Sequence, residues 1–287
     1  MIEPTLPQVR KLLDSQFPEY AGLPLEALPS PGTDNAIFRL GADLTVRLPH
    51  VDWAVHGPAR EVAILSKLQG LGLEVPGPVA LGEPCGDFPS QWSVLKWVEG
   101  EPVNGANLPP HDAIRLAGFL KALRQTRLDK RFEAGAANHF RGAALHQREA
   151  AFAPALDALG VDYDLEPLRR IWKAARAAPV EGSPVWLHGD LHGGNLLTRN
   201  GRLSGVIDWG LAGVGDGACD LSAAWTLFDD EAREVFREAM DPGEAAWLRG
   251  AGWALSVAVI FLAHYRDKGV PVDGSHRTIS RLLEAFP

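Results

Sequence analysis

Only two cysteines occur among the 287 residues, Cys85 and Cys219, far apart and in no C-x-x-C spacing. That scarcity excludes a disulfide framework and gives no zinc site. A basic excess is lacking too: 28 Lys and Arg stand against 36 Asp and Glu, for a formal net charge of −8. Nucleic acid, which needs a basic footprint, is therefore not an expected partner. Long apolar runs are also missing. The longest, Gly250 to Ala263, is about 14 residues, short of the ~20 that a spanning helix needs, so it reads as a buried helix and no membrane partner is expected. The opening "MIEPTLPQVRKLLDS" has no basic segment leading into an apolar one, so it does not read as a signal peptide, and the expected compartment is the cytoplasm. There is no internal repeat and no low-complexity tract.

What is there is an ordinary soluble composition, 46% apolar and 22% charged, with enough chain for one large domain or two lobes. Pro7 to Gln16 carries Val9, Leu12 and Leu13 at helical spacing, and Pro18 closes it. "NAIFRLGADLTVRLP" reads as a hairpin turning at Gly41 to Asp43. Gly57 to Leu71 reads as a helix, and strands follow at Val79 to Gly82 and Gln91 to Trp97. Beyond "VEGEPVNGANLPP", rich in Gly, Pro and Asn, the pattern turns helical. Helices are expected over 111–124, 143–159, 165–177, 231–240, 243–267 and 277–286. The division falls near residue 100, giving lobes 1–100 and 101–287.

The strong strand signal of the second half surrounds "WLHGDLHGGNLLT", Trp186 to Thr198, and "VIDWG", Val206 to Gly210. Asn200-Gly201 between two apolar runs is the sequence signature of a two-residue hairpin. Partners across it have numbers adding to about 401, so Asn195 faces Val206 and Asp208 lies just beyond. Asn195 and Asp208 then share one end of the hairpin, and Asp190 lies in the loop leading into it. All three bring oxygen, which is what a magnesium ion takes while keeping several waters.

"HGDLHGGN" followed by "IDWG" and "GVGDGACDLSAAW" resembles the catalytic and metal-binding segments of the aminoglycoside phosphotransferase family, relatives of the protein kinases. The resemblance is dense from about Val185 to Trp225 and looser from about Leu28 to Gly100. It implies an α+β, two-lobe protein-kinase-like fold with a small antiparallel-sheet N-lobe and a mainly helical C-lobe. It further implies ATP or GTP with Mg²⁺ as cofactors, Asp190 as the residue that accepts or orients the hydroxyl proton, and Asn195 and Asp208 as metal ligands. His188 is expected to orient the loop, and His192 is read as a loop residue. Asp220 opens an apolar helical run and reads as a cap, to which the resemblance adds a brace for the catalytic loop.

By the same resemblance the phosphate-binding cation sits on the third strand, where "LTVRLPH" places Arg47 instead of lysine, with Glu61 as its partner. A purely structural Arg47–Glu61 pair, with Arg39 as the cation, is the alternative. "SPGTDNAIF" has a single glycine where a phosphate-covering loop is due, leaving backbone N–H groups and the Thr33 hydroxyl for phosphate. Backbone groups of Lys96, Trp97 and Val98 are expected at the adenine edge with Leu95 beside them, although Trp97 also fits a core aromatic.

The expected activity is transfer of a terminal phosphoryl group to a hydroxyl of an aminoglycoside-like antibiotic. Two alternatives stand: a kinase for a metabolite such as choline, a sugar or an amino alcohol, and a nucleotide-binding pseudokinase. Seven carboxylates between Asp229 and Glu244, against Arg233 and Arg237, fit either a cleft for a cationic acceptor or a solvated helix face. Asp229 and Asp230 also fit helix caps.

Overall fold

Alternating apolar and polar residues in the first hundred positions build a five-stranded antiparallel sheet in the computed structural model, which describes residues 4–28, 35–51, 57–86, 88–103, 105 and 107–287. Helix α1 (Leu6–Gln16) is followed by β1 (Leu25–Leu28), β2 (Asn35–Leu40), β3 (Leu44–Pro49), α2 (Gly57–Leu65), β4 (Pro78–Gly82) and β5 (Trp92–Lys96). The spatial order is β1-β2-β3-β5-β4. Arg47 pairs across to Ile37 and Ser93, and Thr45 to Arg39 and Leu95. Since side chains alternate along a strand, these residues share one face. The opposite face carries Phe38, Leu40, Val46, Leu48, Trp92 and Val94, which pack on Val9, Leu12 and Leu13 of α1. Gly82 is required here, because a Cβ on it would stand 2.1 Å from the Trp92 ring.

Two expectations for this half change. Strand β1 was not read from the sequence, since its four residues carry no clear alternation. Helix α2 ends at Leu65, not Leu71, and the chain turns away through Gly70 and Gly72, both in the left-handed region at φ 67° and 81°.

The chain divides into two compact units. The first takes Met1–Gln69, Glu74–Glu99 and Gly205–Gly210; the second takes Gly70–Leu73, Gly100–Ser204 and Leu211–Pro287. Gly205–Gly210 thus joins the sheet unit, where Glu74 bridges Gly205 and its carbonyl accepts from the Val206 N–H.

The second unit runs β6 (Glu101–Pro102), α3 (Pro110–Arg124), α4 (Glu149–Asp157), α5 (Leu165–Ala177), β7 (Val185–Leu187), β8 (Leu196–Arg199), β9 (Arg202–Val206), β10 (Gly213–Gly215), α6 (Ala223–Thr226), α7 (Asp230–Met240), α8 (Glu244–Tyr265) and α9 (Asp273–Ala285). The last two residues of β9 belong to the first unit. Helix α5 matches its expected bounds because Leu168, Ile171, Trp172 and Ala175 form one buried stripe at helical spacing. The helix expected at 143–159 is instead a short 3-10 turn, Leu145–Arg148, leading into α4.

Helix α8 is 22 residues, longer than its apolar run, and is long and apolar enough by length and composition to cross a membrane. Most of it is nevertheless buried within the unit, against α4, α5, α9 and the Gly217–Ser222 turn. Gly250 and Gly252 permit that packing: a Cβ would fall 2.7 Å from Leu221 at the first and 2.5 Å from Ala175 at the second.

Candidate active site

Strand β7, paired with β10 through Leu187 and Gly213, delivers the chain into His188, Gly189 and Asp190. His188 is fully buried. Its backbone N–H and that of Gly189 each donate to the buried Asp220 carboxylate, at 2.8 Å, and its Nδ1 accepts from the Asp190 N–H at 3.2 Å. Asp220 therefore braces the loop and is not a cap. The cap is Asp216, whose side chain accepts from the Ala218 N–H and also pairs with the buried Arg249 at 2.7 Å. Burial pushes the Asp220 carboxyl up, against the opposing pull of His188 and the two backbone donors.

The Asp190 carboxylate is about a quarter exposed and held from three sides. Arg141 Nη2 stands 3.4 Å from Oδ1, His192 Nε2 3.6 Å from Oδ2, and Asn195 Nδ2 3.3 Å from Oδ2. Burial alone would raise its pKa. The hydrogen bond and charge of His192, then Arg141 and His188, outweigh burial and hold the carboxyl well below the usual carboxylate range. His192 also caps the short turn at Gly193–Asn195, accepting the Gly194 N–H on Nδ1. The ring is thus a loop-shaping residue whose other nitrogen faces the Asp190 carboxylate.

Asn195 is buried, and its amide nitrogen donates to the Asp190 carbonyl at 2.9 Å as well as to its carboxylate. Both amide hydrogens are directed at Asp190, so Oδ1 is the atom left to ligate a cation. The Asn200-Gly201 turn has both residues at positive φ, 55° and 71°, the requirement of a type I′ hairpin. The Ser204 hydroxyl donates to the Leu197 carbonyl across it.

In the first unit Arg47 and Glu61 are nearly fully buried and pair at 3.4 Å. Arg47 also reaches Asp208 at 3.1 Å, while the Trp209 N–H donates to Glu61 at 3.0 Å. Burial raises the Glu61 pKa, with Arg47 opposing, Asp208 adding and the Trp209 N–H opposing. Asp208 sits at φ 63°, a strained conformation for a non-glycine residue, and keeps nearly half its side chain exposed. Arg39, the alternative cation, is already engaged. It stacks 3.8 Å over the half-buried Trp97 ring and pairs with Glu99 at 3.1 Å. The N–H groups of Lys96 and Trp97 are already donated to Gly77 and Asp43. Thr33 lies outside the described residues.

Three of the seven carboxylates from Asp229 to Glu244 are committed. Asp229 caps α7 on the Ala232 N–H, Asp230 pairs with Arg233 at 2.7 Å, and Glu244 pairs with Arg237. The solvated-face and capping readings account for these residues. Arg141, by contrast, carries no motif and was not read from the sequence. It lies 49 residues before Asp190, and only folding brings the two together.

The model of the phosphotransferase enzyme family known as APH matches residues 27–253. Among solved structures, the GDP complex of wild-type aminoglycoside 2'-phosphotransferase-IIIa superposes with a TM-score of 0.74 at 18% identity, over 99% of this chain and 100% of that one. The gentamicin complex of APH(2")-IIa gives 0.65 at 20%, over 100% and 99%. Macrolide 2'-phosphotransferase MphH from Brachybacterium faecium gives 0.59 at 20%, over 95% and 98%. These likenesses show the protein-kinase-like fold. Thiamine kinases of Escherichia coli strains, such as SMS-3-5 / SECEC, are 39% identical over 74 residues, 26% of this chain and 26% of theirs. The matched stretch is about a quarter of the length of those relatives. With the family model spanning both units, the chain belongs to the APH phosphotransferase enzyme family.

Proposed function

We propose that the protein is a magnesium-dependent small-molecule kinase that moves the terminal phosphoryl group of ATP or GTP to a hydroxyl of an amine-bearing antibiotic of the aminoglycoside type. The observation that carries the kinase reading is the Asp190 carboxylate, kept ionised and aimed by Arg141, His192 and Asn195 on a loop braced by Asp220. Asp190 takes a hydrogen bond from the acceptor hydroxyl, sets its oxygen toward the phosphorus and receives its proton as the new P–O bond forms and the bond to the departing nucleoside diphosphate breaks. A weakly basic carboxylate suffices, because phosphoryl transfer is mostly positioning and charge neutralisation. Asn195, through Oδ1, and the Asp208 carboxylate are suited to hold Mg²⁺, a hard cation that takes oxygen donors. Bound there, the ion would neutralise phosphate charge. Arg47, oriented by Glu61, supplies the fixed cation for the phosphates, and the Thr33 hydroxyl is a further candidate phosphate donor. The adenine or guanine edge would meet the remaining backbone groups of Lys96, Trp97 and Val98.

The antibiotic reading is supported by likeness to the kanamycin complex of APH(2")-IIIa, the gentamicin complex of APH(2")-IIa and a macrolide 2'-phosphotransferase. A second reading, a metabolite kinase, is favoured by the commitment of the Asp229, Asp230 and Glu244 carboxylates to α7 and its arginines. A panel of kanamycin, gentamicin, a macrolide, thiamine and choline, assayed for phosphorylation with Mg-ATP and Mg-GTP, separates the two. Growth inhibition of a susceptible bacterium expressing the gene is measured alongside. Phosphorylation of an antibiotic with raised resistance supports the first reading. Thiamine or choline phosphorylation without any resistance shift overturns it in favour of the second.

A further inference from the structure

The segment from Asn138 to Gly142 has no role in the motifs, yet it is unusual in conformation. His139 and Phe140 stand consecutively at φ 51° and 60°, and Gly142 follows at 79°. Two adjacent non-glycine residues in the left-handed region are costly and persist only where surrounding structure over-determines them. Here a fully buried Asn138 does so. Its Oδ1 accepts the Gly135 N–H, and its Nδ2 donates to the carbonyls of Arg141 and Leu211. Glycines on both sides let the segment press onto the catalytic loop. A Cβ on Gly142 would fall 2.3 Å from Leu187, and one on Gly189 3.0 Å from the Arg141 Cβ. The side chain presented by this arrangement is Arg141, about a tenth exposed, with Nη2 on Asp190 Oδ1 at 3.4 Å. Its Nε is buried and has no hydrogen-bond partner among the described residues, so the guanidinium is not held by an alternative acceptor there.

We infer that Arg141 is a positioning residue for phosphoryl transfer: the Asn138–Gly142 loop holds its guanidinium against Asp190 and fixes the carboxylate in the orientation that meets the acceptor hydroxyl. The inference rests on the reading of Asp190 as the group that receives the hydroxyl proton. Arg141 acts through Asp190 and not on the nucleotide, so its removal changes kcat and leaves nucleotide affinity alone. Small misplacements of a reacting group are enough to cost about 10²-fold in rate.

The test uses the full chain, Mg-ATP or Mg-GTP, and the panel compound above with the highest turnover, with water as acceptor for the basal rate. Arg141→Met is expected to lower kcat by about 10- to 100-fold with nucleotide KM changed less than about twofold. Arg141→Lys should recover part of the loss, and added guanidinium ion should restore part of the rate of Arg141→Ala. In an Asp190→Asn background, Arg141→Met should add little, because residues that act as a unit are non-additive. A wild-type kcat in Arg141→Met, while Asp190→Asn is inactive, overturns the role of Arg141 and spares that of Asp190. A wild-type rate in Asp190→Asn overturns the underlying reading. Equal losses in the Met and Lys variants, with a lowered Tm and no rescue, would assign Arg141 to structure alone.

Discussion

Asp190 is the residue whose surroundings say most about its work. Its depressed pKa means that it is ionised throughout the ordinary working range. Its charged form contributes stability that is present above the unfolded-state pKa of about 3.9 and is lost as pH falls toward the lower folded-state value. The acid limb of kcat/KM should accordingly lie below the usual carboxylate range. His192→Gln removes the largest stabilising partner of that charge and should move the limb upward; an unmoved limb would detach His192 from Asp190. Asp208 is tested separately. Asp208→Ala should abolish Mg-dependent nucleotide turnover with an unchanged circular dichroism spectrum, and turnover at the wild-type rate would rule out its metal role. The juxtaposition of Asp190 and Asn195 was legible in the sequence because their spacing is local. Arg141 and the pairing of Asp216 with Arg249 were not, because each depends on partners that only the tertiary fold supplies.

At the scale of elements, what the sequence revealed was the period and the turn. Helices α1 and α5 and the Asn200-Gly201 hairpin follow from apolar spacing and positive-φ residues, which act over a few positions. Strand β1 was hidden because its four residues carry no clear alternation, and the early end of α2 because apolar spacing continues past Leu65 to Leu68 and Leu71. The glycines of α8 were equally opaque, since their purpose is contact with Leu221 and Ala175. Arg249 near the start of α8 is 3% exposed and pairs with an Asp216 side chain that is 11% exposed, so the pair ties α8 to the turn that carries Asp220. Breaking one partner of a buried pair leaves an uncompensated charge. Arg249→Met should cost about 3–5 kcal/mol in urea unfolding, and less when combined with Asp216→Asn. A loss under about 1 kcal/mol would mean that solvent reaches Asp216 freely.

For the whole molecule, the acceptor is the least legible feature, because it is read by surfaces and not by motifs. The seven carboxylates between Asp229 and Glu244 suggested a cationic acceptor, yet three of them, Asp229, Asp230 and Glu244, are engaged by α7 and its arginines. The phosphoryl-transfer machinery is a different matter, since family membership, the Arg47–Glu61–Asp208 cluster and the Asp190 loop all point to a working enzyme and against a pseudokinase. The most direct measurement compares the wild type and Asp190→Asn for kcat on the most active panel compound and for Mg-nucleotide affinity by titration. With Asp190 as the group that receives the hydroxyl proton, kcat falls by about 10²-fold or more while nucleotide affinity stays within about twofold. Unchanged turnover together with a large loss of nucleotide affinity would make Asp190 a binding residue and contradict the mechanism.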